Sequence, residues 1–420
     1  MKYKKIERDN YNIHYIKSDR FKVISIVLFL SKVFDKNDIK YGGLLCSNML
    51  YTTKKYNTKN KIAIAGEELY GCKVSGSFSL TGMLESYAFA LDFLNPKYSK
   101  PEYLEKSLEY YKEVLFNPNV DKNGFNKEYF DIIMKDAILK SKMLKDNPNT
   151  YSMYKFLKIM YKGTPSENIF IPTEEELTEV NPKNLYDFYK SLFDGSYKID
   201  IAIYGDTDES IIDLVENAFK DKLKGNNSKL SYMINHKYDD KLIEKVDVLP
   251  FKQSKLIMGY RLKDLTNYEL NYVLKLYTAI LGMVNDSLLF KIVREDNSLC
   301  YSISASYNKY NPSINVSAGI NKENYEKTVE LIGVCLEKMK DKKSIEHLFE
   351  PSKKYLGTII NRYYDDLSSQ INYYFDREFA DLEDLETIRE RINNVTIDEV
   401  IELNKKISPA VIYLLKGDDK

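Results

Sequence analysis

Histidine and cysteine are the side chains here best suited to binding a metal or attacking a substrate, and both are scarce. The chain has three histidines and four cysteines, at His14, His236, His347, Cys46, Cys72, Cys300 and Cys335. No two histidines are close enough in sequence to share a helix face, and the cysteines form no C-x-x-C pair. A self-contained zinc site, or a cysteine–histidine pair for nucleophilic attack, is therefore not predicted.

The composition excludes several classes of protein. The 420 residues carry 62 Lys+Arg and 62 Asp+Glu, so no basic surplus exists to hold a phosphate backbone, and we predict no nucleic-acid partner. The basic start, Met1 to Lys5, continues into Ile6 to Asn10 rather than into an apolar signal segment. The most apolar stretch, Val23 to Leu30, is shorter than the ~20 residues of a membrane helix. We therefore expect a cytoplasmic protein with free thiols and no membrane contact.

The order of predicted elements repeats along the chain, which indicates an internal duplication. The first half has a strand at 21–30, helices at 41–51 and 61–69, strands at 73–80 and 86–94, and a helix at 102–115. The second half repeats this β-α-α-β-β-α order, and Cys72 and Cys300 stand at equivalent points. We predict an α+β fold of two similar domains, residues 1–224 and 251–420, joined by a polar linker at 225–250. Each domain is expected to be a mixed or antiparallel sheet covered by helices.

Several strings in the second half resemble the insulinase/pitrilysin family of inverted zincin metallopeptidases. The strings are Ile280-Leu281-Gly282, Ser287-Leu288-Leu289-Phe290, Val293-Arg294-Glu295-Asp296 and Leu299-Cys300-Tyr301-Ser302-Ile303. In that family a helix ends in an Arg-Glu pair, and the next strand begins with Leu-x-Tyr-Ser. Further pieces fall in register elsewhere, among them 173–177, 185–189, 201–206 and 395–400. The resemblance covers nearly the whole chain and implies the duplicated fold of that family.

The resemblance also implies where zinc would be bound. The family binds zinc through H-x-x-E-H on its first helix, where two histidines hold the metal and the glutamate activates a bound water. Aligning Met49-Leu50-Tyr51 with the family's usual Met-Leu-Phe puts Leu44 and Asn48 at the histidine positions and Ser47 at the glutamate. The third ligand would fall near Lys135-Asp136. We expect no metal on this chain, because leucine cannot bind zinc and asparagine is a poor substitute for imidazole.

One pair of functional residues of the family is retained, Arg294 and Tyr301. The resemblance implies that both donate hydrogen bonds to the peptide carbonyl next to the scissile bond. On residue types alone, Arg294 could instead pair with Glu295 or Asp296, and Tyr301 could be an ordinary strand aromatic; the matching context favours the donor role. Residues 73–80 resemble the family's cleft-edge strand, to which a peptide can add, although their serine face also suits a plain solvent-facing strand.

Because the zinc residues are lost while Arg294 and Tyr301 are retained, the sequence predicts that two chains together form one active site. The sequence resembles the zinc-less member of two-chain bacterial pairs and is similar to the non-catalytic subunit of processing peptidases. The resemblance implies a subunit that is inactive alone and contributes peptide binding and the Arg/Tyr donors to a heterodimer. Its partner would be an insulinase-like chain bearing H-x-x-E-H and the zinc. The alternative is a scaffold or peptide-binding subunit with no role in proteolysis, since a fold does not fix function.

Overall fold

A computed structural model describes residues 2–168 and 171–418. Its strands are β1 Lys2–Glu7, β2 Asn12–Lys17, β3 Val23–Val33, β4 Lys73–Thr81, β5 Leu84–Leu94, β6 Val120–Asp121, β7 Gly124–Phe125, β8 Lys198–Gly205, β9 Ile243–Leu249, β10 Ser254–Leu262, β11 Cys300–Asn308, β12 Ser313–Ile320 and β13 Ile407–Gly417. Its α-helices are α1 Ile39–Tyr51, α2 Lys59–Glu67, α3 Glu102–Phe116, α4 Lys127–Lys142, α5 Pro148–Met160, α6 Glu174–Thr178, α7 Pro182–Ser191, α8 Ser210–Phe219, α9 Leu274–Thr278, α10 Tyr325–Lys338, α11 Lys342–Asp365, α12 Leu367–Asp376, α13 Leu385–Asn394 and α14 Ile397–Leu403. Three further helical stretches have π-type hydrogen bonding, Glu269–Val273, Ala279–Met283 and Phe290–Asp296. No helix in these two ranges is both long enough and apolar enough to cross a membrane.

The chain folds into two compact units. Unit 1 contains Met1–Met143, Ile169–Tyr232 and Leu367–Ala380, and unit 2 contains Leu144–Asn168, Met233–Asp366 and Asp381–Lys420. This differs from a division at residues 1–224 and 251–420, because α5 belongs to unit 2 and α12 belongs to unit 1. Each unit thus includes a helix from the other half of the chain. The segment predicted as a linker, 225–250, contains strand β9.

Unit 1 is built on a six-stranded sheet with the order β1-β2-β8-β3-β5-β4. β3 lies antiparallel to β5 and β8, while β2 lies parallel to β8. Alternate residues of β3 and β5, such as Ile26 and Phe89, pack into one core with α1, α3 and α7. On the opposite face, Phe375 of α12 stacks on Phe29 of β3 with 3.8 Å between ring centroids. β3 is therefore buried on both faces, which explains its nearly continuous run of apolar residues.

Unit 2 is built on a five-stranded sheet with the order β11-β12-β10-β13-β9. β10 lies antiparallel to β12 and β13, and β9 lies parallel to β13. Strand for strand this repeats unit 1, with β10 equivalent to β3, β12 to β5, β11 to β4, β13 to β8 and β9 to β2. In the described part of unit 2, β1 has no counterpart. The predicted α+β fold of two similar halves, each a mixed sheet covered by helices, is confirmed.

One glycine allows the helices before β11 to approach that strand closely. Gly282 ends the helical stretch Ala279–Met283 with non-helical angles, φ −164° and ψ 17°. A Cβ atom at this position would lie 2.7 Å from the backbone nitrogen of Ala305 in β11. Glycine is thus required here for close packing.

Candidate functional site

Helix α1 buries two of the three side chains that stand at the predicted zinc positions. Leu44 is 3 % exposed and Asn48 is 5 % exposed, whereas Ser47 faces solvent. The Asn48 Nδ2 donates a hydrogen bond to the Leu44 carbonyl oxygen at 2.9 Å. Leu44 packs into the core of unit 1. Both buried positions therefore serve the packing of α1, and the asparagine amide is satisfied within its own helix.

The side chains at these positions do not fit zinc. A zinc site needs three or four thiolate, imidazole or carboxylate ligands. Leu44 offers no donor, and the Asn48 amide is engaged with the backbone. Asp136, near the predicted third position, is exposed and pairs with Lys140 at 2.7 Å. Throughout 2–168 and 171–418, no group of three or more His, Cys, Asp or Glu side chains is arranged to hold a metal ion.

A partly buried group of charges holds the start of α1. The Lys32 Nζ lies 2.5 Å from Oδ2 of Asp38 and 3.6 Å from Oε1 of Glu85. The Tyr197 hydroxyl donates a hydrogen bond to the same Glu85 oxygen at 3.0 Å. Burial raises the pKa of Glu85 to about 7, and the Lys32 charge opposes that rise. Since Asp38 is the residue just before α1, its contact with Lys32 helps to hold the beginning of the helix.

Cys46 lies on the same helix but lacks the surroundings of a nucleophile. Burial raises the pKa of its thiol to about 12. A reactive cysteine needs a nearby cation, histidine or helix N-terminus to lower its pKa. All four cysteines are buried and free, so the prediction of unpaired thiols is confirmed. The interpretation of Cys46 as a small core residue is confirmed as well.

Arg294 lies near the end of the helical stretch Phe290–Asp296 and is exposed. Its neighbours Glu295 and Asp296 pair instead with Lys291, at 3.1 and 3.5 Å. The Arg294 guanidinium stacks over the Phe290 ring, 4.5 Å from the ring centroid. Among the described residues, no carboxylate lies within ion-pair distance of this guanidinium. The surface ion pair considered as an alternative for Arg294 does not form.

Tyr301 lies at a β-bulge near the beginning of β11. The pairing of β11 with β12 slips between Cys300 and Ser302, which leaves Tyr301 without a partner across the ladder. Bulges re-aim side chains and are common beside functional sites. The Tyr301 side chain is 64 % exposed, and its hydroxyl donates only a long hydrogen bond, 3.4 Å, to the Asn321 Oδ1. Because β11 is an edge strand, the phenol is presented at the rim of the unit 2 sheet.

Arg294 and Tyr301 lie in the same part of unit 2. A tight turn joins the helix to β11, in which the Ser298 N–H donates to the Arg294 carbonyl oxygen at 3.0 Å. Burial raises the pKa of Cys300 to about 11, and the Arg294 charge opposes that rise. Cys300 directly precedes Tyr301, so the two candidate donors lie on either side of the turn that joins the helical stretch Phe290–Asp296 to β11. Such groups can donate hydrogen bonds to a carbonyl oxygen, and their role as substrate donors stays a prediction.

Strand β4 forms the outer edge of the unit 1 sheet, at the place where the sequence predicted a cleft-edge strand. One face of β4, with Ser75 and Ser77, lines a cavity of about 260 Å³. The other walls are residues of β3 and β5 together with Leu367, Ile371 and nearby residues of α12. The serine face therefore borders a cavity, although Ser77 itself remains exposed to solvent. An edge strand of this kind can accept an added strand by backbone pairing.

Sequence reasoning missed a buried hydrogen-bond network in unit 1. His14 and Asp200 are fully buried, and Nε2 of the histidine lies 3.2 Å from Oδ1 of the aspartate. Burial tends to raise the pKa of Asp200, but its hydrogen bond with His14 and the His14 charge hold it below its usual value. An ionised Asp200 only accepts, so His14 donates through Nε2. The Tyr3 hydroxyl lies within hydrogen-bond distance of His14 Nδ1, at 2.9 Å, and Asn12 Nδ2 donates to Asp200 at 3.0 Å.

The same network explains why residues 367–380 belong to unit 1. Lys198 lies 3.5 Å from Oδ1 of Asp200 and 3.4 Å from Oε2 of Glu378, which follows α12. Lys5 lies 2.9 Å from the other Glu378 oxygen. The Tyr374 ring of α12 stacks on another member of the network, Tyr3, at 4.2 Å. The charged contacts join α12 to β1 and β8 and hold it on the sheet.

Comparisons with known proteins agree with this architecture. Residues 179–356 match the family model described as peptidase M16 inactive domain. Probable inactive metalloprotease YmfF of Bacillus subtilis (strain 168) is 25 % identical over 414 residues, which cover 97 % of this chain and 96 % of that protein. A solved structure of a conserved protein from Enterococcus faecalis V583 is 22 % identical, with a TM-score of 0.92 over 100 % of this chain and 99 % of that chain. A peptidase M16 inactive domain from Pseudomonas fluorescens is 16 % identical, with a TM-score of 0.80 over the same shares of both chains. The structural likenesses show a common fold.

Proposed function

Because this chain is an inactive homologue within the peptidase M16 family, the insulinase/pitrilysin family that its sequence resembles, we propose that it is the non-catalytic subunit of a two-chain zinc peptidase. In this proposal its partner is a second M16-type chain that bears an intact H-x-x-E-H motif and the zinc. The substrate is a peptide, and the two chains form a heterodimer in a bacterial cytoplasm. This chain is inactive alone.

The observation that carries the proposal is that Arg294 and Tyr301 are retained and exposed, while Leu44 and Asn48, at the two predicted histidine positions, are buried. The guanidinium has no acidic partner among the described residues, and the bulge in β11 turns the phenol outward. Donors aimed at the oxygen on which negative charge develops stabilise the transition state of peptide hydrolysis. A subunit that served only as a scaffold needs neither group.

The edge strand β4 supports the peptide-binding part of the proposal. Its outer backbone groups have no strand partner in the described ranges, so an extended peptide can pair with them. The side chains of an added peptide alternate between the two faces of the sheet. Those on the face of Ser75 and Ser77 would lie beside the cavity that these serines line. The balanced charge of the chain suits a peptide better than a nucleic acid.

The proposal is tested first on the isolated chain. After equilibration with zinc and removal of free metal, we expect far less than one zinc per chain by plasma mass spectrometry, because neither Leu44 nor Asn48 is a zinc ligand. The chain alone should also cleave no peptide. The partner chain, treated in the same way, serves as the control and should hold one zinc. Stoichiometric zinc on this chain that disappears in Asn48→Ala would contradict the proposal.

A further inference from the structure

Strand β9 forms one edge of the unit 2 sheet, and its free side has no neighbouring strand among residues 2–168 and 171–418. Its equivalent in unit 1, β2, is covered on the corresponding side by β1, which pairs with it antiparallel from Lys2↔Lys17 to Glu7↔Asn12. The duplicated fold therefore has a position for a further strand beside β9, and unit 2 leaves that position open. Free edges of this kind pair readily with another strand.

Apolar side chains of β9 remain exposed, in contrast to those of its neighbour β13. Val246 is 48 % exposed and Val248 is 56 % exposed. The stretch 410–415 of β13, on the inner side of β9, is buried without interruption. A strand added beside β9 would remove the exposed valine side chains from water, which favours association.

We propose that β9 pairs antiparallel with β9 of a second copy of this chain, about a two-fold axis at Val246. In this register Val246 faces Val246 of the second copy. Lys245 faces Asp247, Ile243 faces Leu249 and Glu244 faces Val248, and each of these pairs occurs twice because the interface is symmetric. Opposite charges and apolar side chains directly across a strand pair stabilise it. The two five-stranded sheets then form one continuous sheet.

The charges of β9 favour a two-fold axis at Val246 over an axis one residue away, at Lys245 or at Asp247. An axis at Lys245 would place two lysines opposite each other, and an axis at Asp247 would place two aspartates opposite each other. Like charges in direct opposition destabilise a strand pair. Asp247 is also held in position, since it accepts a hydrogen bond from the Tyr413 hydroxyl at 3.0 Å. This self-complementary pattern identifies the occupant as a second copy.

The proposal is tested with two variants at the symmetry position, Val246→Lys and Val246→Glu. The wild-type chain should sediment as a dimer of the 49.1 kDa chain. Each variant alone places like charges opposite each other and should weaken dimerisation by about 10-fold or more. An equimolar mixture of the two variants places lysine opposite glutamate and should restore the dimer as a heterodimer. Analytical ultracentrifugation over a concentration series, with one variant fluorescently labelled, measures both effects.

The matched control is Ile64→Lys, which places the same charge on an exposed apolar residue of α2 in unit 1. It should dimerise like the wild type. Circular dichroism of each variant checks that the fold is kept. A monomeric wild-type chain, or a chain that pairs through β9 only with its peptidase partner, would overturn the proposal. Equal dimerisation of wild type and Val246→Lys, or a mixture that stays monomeric, would overturn it too.

Discussion

Replacing Arg294 with alanine is expected to lower the kcat of the two-chain peptidase by about 100- to 1000-fold while the complex stays intact. The guanidinium is exposed and has no acidic partner among the described residues, so its donors are available to a substrate carbonyl. The substitution removes an interaction that is strongest in the transition state, where the carbonyl oxygen of the substrate gains negative charge. Tyr301→Phe removes a neutral donor and should lower kcat in the same direction by a smaller factor.

Steady-state kinetics with a fluorogenic peptide measure both variants, and size-exclusion chromatography checks that the complex forms. Arg391→Ala is the matched control, because Arg391 is an exposed arginine of unit 2 that pairs with Glu383 at 3.2 Å. It should leave kcat unchanged. Wild-type turnover in both Arg294→Ala and Tyr301→Phe would show that this chain contributes no donors to the reaction.

Replacing Asp200 with alanine is expected to lower the free energy of unfolding by about 3–5 kcal/mol, the usual effect of removing one partner from a buried charged network. The substitution leaves the donors of Asn12 and His14 unsatisfied in a fully buried site. Urea unfolding followed by circular dichroism measures the loss. Asp131→Ala serves as control, since Asp131 is exposed on α4 and its pair with Lys127 contributes about 0.5 kcal/mol or less.

The stabilisation by Asp200 also has a predictable pH dependence. Burial is the largest single effect on the pKa of Asp200 and raises it, but the hydrogen bonds from His14 and Asn12 and the nearby positive charges together outweigh burial, so the pKa lies below its ordinary value of 3.8 in the folded chain. The folded state therefore binds this proton less readily than the unfolded state, so the stabilisation is complete above the ordinary pKa. It should shrink as the pH falls below about 3.8. A difference between wild type and Asp200→Ala below about 1 kcal/mol at neutral pH would contradict an ionised buried network.

The repeated fold could be predicted because its strands carry clear local patterns. In β4 and β5, apolar and small or polar residues alternate, which is the signature of strands with two different faces. The equivalent order of helices and strands before and after Cys300 then indicated an internal duplication. The sequence alone also shows that Leu44 and Asn48 differ in type from any zinc ligand, and their equivalence to the zinc-binding positions stays a prediction.

Other features depend on contacts between distant parts of the chain. The assignment of α12 to unit 1 rests on packing such as Phe375 on Phe29, which no local pattern contains. The charged residues of β9 mask the alternation of an edge strand, so its sequence also suits a polar linker. The bulge at Tyr301 appears only when β11 and β12 are paired. The polar residues Asn12 and His14, alternating with Ile13 and Tyr15, were the one available signal of the buried network.

The most direct measurement compares peptide cleavage by three samples: this chain alone, the H-x-x-E-H partner alone, and their equimolar mixture. If this chain completes the active site of its partner, only the mixture should cleave a short unstructured peptide at an appreciable rate. The partner alone should bind zinc yet remain nearly inactive, because it lacks the donors of Arg294 and Tyr301. Cleavage by the partner alone at the rate of the mixture would show that this chain has no part in the reaction.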